Sequence, residues 1–99
     1  MSERTQSENL NCSLSGELTI YTAREQIKAL IDLLKKDPET IALDLSEVTE
    51  MDTAGLQLLL WLNKTCREMK VSLFLSGKSE AVSQFLEFSR CYQLHQSAN

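Results

Sequence analysis

Thr40-Ile41-Ala42-Leu43-Asp44-Leu45, then Ser46 to Met51, then Asp52-Thr53-Ala54-Gly55-Leu56-Gln57-Leu58-Leu59: the reading of this 99-residue chain turns on this stretch. Its first six residues are a short, nearly continuous apolar run broken only by Asp44, the pattern of a strand buried on both faces of an α/β sheet. Ser46 to Met51 read as a connecting loop, and Asp52-Thr53 as the start of a helix reaching about Met69. Partners of such sheets meet the segments that leave the carboxyl ends of the strands. The segment from Ser46 to Thr53 is therefore the first place to look for function.

Upstream, Leu10, Cys12 and Leu14 alternate with Asn11 and Ser13, and Glu17-Leu18-Thr19-Ile20-Tyr21 alternates again after Ser15-Gly16. This predicts a hairpin of two short strands. Thr22-Ala23-Arg24-Glu25 has the form of a capping box. Ala23, Ile27, Leu30, Ile31 and Leu34 then share one helical face, Lys35-Lys36 complement the helix dipole, and Asp37-Pro38 end the helix. Downstream, Val71 to Leu75 read as an interior strand and Ser76-Gly77-Lys78 as a loop. Ser79 to Leu86 form a third helix with Ser79 as N-cap. Beyond Ser89 there is room for one short edge strand, around Cys91 to Leu94. This order predicts a single α/β domain with a mixed four- or five-stranded sheet and about three helices, its later strands parallel through right-handed crossovers. Residues 1–8 are expected to be an N-terminal tail, 9–95 the domain and 96–99 a C-terminal tail.

Composition narrows the function. A hydrophobic fraction of 42% with 24% charged residues is that of a globular protein able to fold without metals or disulfides. A net charge of −4 argues against a nucleic-acid partner, which would need clustered Lys and Arg. No apolar stretch follows the polar N-terminus, so no secretory signal is expected. The longest run of large apolar residues, Leu58 to Leu62, is five residues against the roughly 20 of a spanning helix. A cytoplasmic protein without membrane insertion is expected. Cys12, Cys66 and Cys91 fit no disulfide or metal spacing and are expected to be free thiols. The single histidine, His95, lies in the polar tail, and only Gly16, Gly55 and Gly77 are available for a phosphate loop. Neither a catalytic nor a metal site is expected.

The segments Asp44-Leu45-Ser46-Glu47-Val48 and Met51-Asp52-Thr53-Ala54-Gly55-Leu56-Gln57-Leu58-Leu59, with Gly16-Glu17-Leu18 upstream, resemble the central motif of the STAS family. These are the anti-sigma-factor antagonists and their relatives. The resemblance implies a non-catalytic, partner-switching protein of bacterial signalling, without a cofactor, whose partner is an anti-sigma-like kinase or another signalling protein, chemotaxis included. In that family the hydroxyl residue after the Asp is phosphorylated by the partner kinase, a position that falls here on Thr53. Where many members carry an Asp after Gly-Glu-Leu, this chain has Thr19. With little chain after Leu94, it also resembles the short STAS subunits of bacterial lipid-transport ABC systems, where the same motif faces an ATPase subunit.

Physical chemistry is compatible with a modification at that residue. A phosphate at a helix start meets backbone N–H groups and the positive end of the helix dipole, so the fold would tolerate it. It adds about −1.5 to −2 charges beside Asp52, to be felt by a docked partner. The plain alternative is that Asp52 or Thr53 only caps the helix, worth about 1 kcal/mol. Along that helix, Gly55, Leu59, Leu62, Cys66 and Met69 share one face, while Gln57, Lys64 and Glu68 mark the other, with Leu60 and Trp61 on or beside the polar side. Trp61 is then either covered by a neighbouring helix or exposed as an interface anchor. Asp52, Thr53, Ala54, Gln57, Leu60, Trp61 and Lys64 are the residues expected to bind the partner.

Overall fold

A computed structural model describes residues 8–89. The elements run β1 (Asn9–Leu18), α1 (Ala23–Leu34), β2 (Thr40–Met51), α2 (Thr53–Met69), β3 (Ser72–Lys78) and α3 (Glu80–Ser89). Among the described residues the sheet has three strands in the order β1-β2-β3, and both pairings are parallel. The expected mixed sheet of four or five strands is thus corrected to a parallel one of three. The edge strand expected near Cys91–Leu94 lies outside the described residues.

The hairpin is replaced by one ten-residue strand. Ser15-Gly16 carries a turn signal, but Gly16, with φ +77°, serves an irregularity inside β1, where the register against β2 shifts between Ser13 and Ser15 and again between Gly16 and Glu17. A positive φ is available to glycine without the Cβ penalty, so the strand bends and continues. Ile20 and Tyr21 consequently leave the sheet and stand exposed in the turn before α1. The capping box does not form either. The Thr22 hydroxyl donates to the Glu17 carbonyl at 2.7 Å and accepts the Thr19 N–H at 3.1 Å, tightening the turn instead of capping α1.

The expected loop from Ser46 to Met51 is strand. β2 is 12 residues long, and beyond its pairing with β3 its second half continues along β1, with Glu47, Val48, Glu50 and Met51 opposite Ser15, Gly16, Glu17 and Leu18. Two right-handed crossovers stepping the same way across a sheet put both helices on one face, and α1 does pack against α2. Ile41, Leu43 and Leu45 of β2 are buried with Leu14 and Leu18 of β1, while Ala42 and Asp44 are only half-buried. The expected burial on both faces of β2 is met on one. Leu30 and Leu34 of α1, Leu58, Leu59, Leu62 and Cys66 of α2, and Val82 and Leu86 of α3 complete the core with Val48, Val71 and Leu73. Ser79 caps α3 as expected, its hydroxyl accepting the Val82 N–H at 3.2 Å. Burial raises the Cys12 thiol and pushes that of Cys66 up to about 11, so both free thiols stay protonated near neutral pH.

Candidate functional site

The carboxyl ends of β1 and β2 and the start of α2 converge on Asp52. This residue is extended, at φ −129° and ψ −170°, as an N-cap must be, and its carboxylate works in two directions. Oδ1 accepts the Gly55 N–H at 3.1 Å within α2, and Oδ2 accepts the Ile20 N–H at 3.1 Å from the β1–α1 turn. The Asp52 N–H donates to the Leu18 carbonyl at 3.3 Å, and its own carbonyl accepts from Leu56. Gly55 completes the joint. A Cβ there would lie 2.1 Å from the Leu18 carbonyl oxygen, so only glycine lets α2 seat this closely on β1.

Desolvation works to raise the Asp52 carboxyl, but the amides of Ile20, Gly55 and Ala54 and its own outweigh it and hold the group below the usual carboxylate range. A depressed folded value means that the ionised form stabilises the fold above the unfolded pKa of about 3.9, and that this contribution disappears as pH falls through the folded value. Asp52→Ala is expected to cost about 1 to 2 kcal/mol near pH 7. Urea melts of the two proteins should converge as the pH is lowered below about 4. A gap unchanged with pH would show that the charge on the carboxylate does not matter.

Thr53 is the first residue of α2 and its side chain is exposed. Ala54 is half-buried beside it. The remaining expected partner residues follow along α2: Gln57 and Lys64 are exposed, and Leu60 and Trp61 are partly buried and packed against the core. Positions 53, 57, 60, 61 and 64 repeat at helical spacing, so they form one stripe of about 16 Å. Trp61 is therefore half core and half surface, between the two alternatives read from the sequence. Met69, placed on the buried face by periodicity, is exposed in the last turn of α2.

The sequence reading missed two features. Ile20 and Tyr21, 68% and 88% exposed, stand beside Asp52 as an apolar pair, hidden in the sequence by their alternation with Thr19. Thr19 is buried, and its hydroxyl donates to Glu17 Oε1 at 3.0 Å and accepts the Tyr21 N–H at 3.3 Å. Below them a cleft of about 730 Å³ opens between the ends of β1 and β2 and the first turns of α3. Asp44, the other carboxylate of the motif, is turned to the backbone N–H of Ser46 at 2.9 Å; that bond, with one from the Ser46 side chain, holds it low. It is not part of the surface around Thr53. His95 lies outside the described residues. Among the described residues, no group of three or more His, Cys, Asp or Glu could hold a metal, and no helix is long and apolar enough to cross a membrane.

Comparison with known proteins bears on the family and the fold. The anti-sigma-B factor antagonist of Listeria monocytogenes is 28% identical over 82 residues, spanning 83% of this chain and 72% of the relative. That of Staphylococcus epidermidis is 25% identical over 76 residues, spanning 77% and 70%. Among solved structures, the STAS domain of a Vibrio cholerae SulP transporter superposes with a TM-score of 0.70 at 22% identity, over 91% of this chain and 71% of that one. A sulfate transporter family protein from Wolinella succinogenes gives 0.68 at 18% identity, over the same shares. The two superpositions speak for the fold. The family profile described as "Mlab, STAS domain" matches residues 1–95, and the chain belongs to the STAS domain family.

Proposed function

We propose that this domain is a cytoplasmic partner-switching module: the stripe from Thr53 to Lys64, with Asp52 and Ala54, binds a protein when Thr53 is unmodified and releases it when Thr53 is phosphorylated. The observation that carries this reading is the exposed Thr53 hydroxyl at the head of α2, on a joint held by Asp52 and Gly55. A phosphate added there changes the charge of the docking face at a helix start, where the backbone N–H groups and the helix dipole favour an anion. The likeness to anti-sigma-B factor antagonists supports an anti-sigma-like kinase, or another signalling protein such as one of chemotaxis, as partner. No chemical step is assigned to the domain itself.

One observation favours a second reading, a constitutive accessory subunit of a lipid-transport ATPase. Thr19, which stands where many family members carry an Asp, is buried and engaged with Glu17 and Tyr21, and so supplies no phosphoryl contact. Titration of the partner with Thr53→Glu and Thr53→Ala divides the two. A switch predicts at least tenfold weaker binding for Thr53→Glu and near-native binding for Thr53→Ala, which has no charge to repel. Equal loss in both, with no phosphate on Thr53 by mass spectrometry of protein from its own host, leaves the accessory-subunit reading.

A further inference from the structure

The cleft beside Asp52 has a composition that selects its occupant. Its rim carries Glu17 and Glu50, and its apolar surface comes from Met51, Phe85 and the exposed Tyr21. Glu17 and Glu50 are register partners on adjacent parallel strands, both exposed, and one oxygen of Glu17 accepts from the Thr19 hydroxyl. The ionised Asp52 lies next to them, and among the described residues no Lys or Arg lines the cleft. The volume, about 730 Å³, is that of an open cleft with room for a side chain or a short segment. An anion would be repelled, and a purely apolar group would cover the carboxylates without offering them a donor.

We infer that this cleft receives a cationic, apolar-anchored segment of a protein partner. An Arg or Lys of that segment sits between the Glu17 and Glu50 carboxylates, and a neighbouring apolar side chain packs on Met51 and Phe85. A guanidinium suits the place best, because its planar fork can bond two carboxylates at once. The inference rests on the reading that the carboxyl ends of these strands dock a protein. It adds a second contact region, on the side of Asp52 lined by α3, to the stripe on α2.

The test uses the full chain labelled with ¹⁵N and two probes, an amphipathic Arg/Leu peptide and its Glu/Leu counterpart. The Arg/Leu peptide is expected to give saturable shifts at Glu17, Glu50, Met51 and Phe85 that weaken with rising salt. Affinity should fall at least tenfold in Glu17→Gln/Glu50→Gln. That variant should melt close to the parent, because both side chains are exposed. Equal response to both peptides, shifts elsewhere, or no shifts would overturn the inference. So would binding that appears only after residues 90–99 are removed, which would make the chain's own C-terminal segment the occupant. Self-association of the parent that is lost in the double variant would instead make it a second copy. Neither probe involves modification of Thr53, so failure here leaves the Thr53 comparison unaffected, and the reverse holds as well.

Discussion

Gly55→Ala is expected to destabilise the domain by roughly 2 to 3 kcal/mol, although alanine is the better helix former by about 1 kcal/mol. The new methyl would sit 2.1 Å from the Leu18 carbonyl oxygen and 3.0 Å from its Cγ. The first contact is with backbone, which has no rotamer to change, so α2 must lift from β1 or β1 must bend. Either movement strains the bond from the Asp52 N–H to the same carbonyl and the bridge from Asp52 to Ile20. Overpacking typically costs about 1 to 3 kcal/mol, and a clash with main chain belongs at or beyond the top of that range. For a domain of this size the melting temperature should drop by about 10 °C or more. A variant that melts with the parent would show that α2 does not need this close approach.

Leu18→Ala is expected to cost about 2 to 5 kcal/mol, as truncations of fully buried leucines do. Leu18 is 0% exposed and lies at the end of β1, with the start of α2 against it. Chemical denaturation should show a lower midpoint with an unchanged slope. The double variant is informative. Removing the Leu18 side chain relieves the 3.0 Å contact that the added methyl makes with it but not the 2.1 Å contact with the carbonyl, so Leu18→Ala should rescue little of the Gly55→Ala loss. Substantial rescue would place the strain in the side chain instead of the backbone.

The helices were the most legible part of the chain. Leu58, Leu59, Leu62 and Cys66, like Leu30 and Leu34, recur at helical spacing because each helix buries a single stripe, and that periodicity survives in sequence. The strands were less so, for two local reasons. Ser15-Gly16 carries the same signal whether the chain reverses or only bulges, and the choice is made by β2, which is distant in sequence. The second half of β2 pairs with β1 alone and buries only Val48, so Ser46, Glu47, Thr49 and Glu50 look like a polar loop. At the site, Asp52-Thr53 was readable because capping is a local matter. The closeness of Gly55 to Leu18, the exposure of Ile20 and Tyr21, and the facing pair Glu17 and Glu50 were not, since each depends on long-range register.

The two-way grip of the Asp52 carboxylate also bears on how fast and how cleanly the surface around Thr53 can be recognised. The β1–α1 turn and the first turn of α2 are held by one side chain through two separate amides, so neither can open without disturbing the other. Ile20 and Tyr21, although exposed, are therefore carried on backbone anchored at Ile20. If this surface is the docking face proposed above, a partner would meet backbone already fixed, and association would not have to wait for a loop to order or bear the entropy of ordering it.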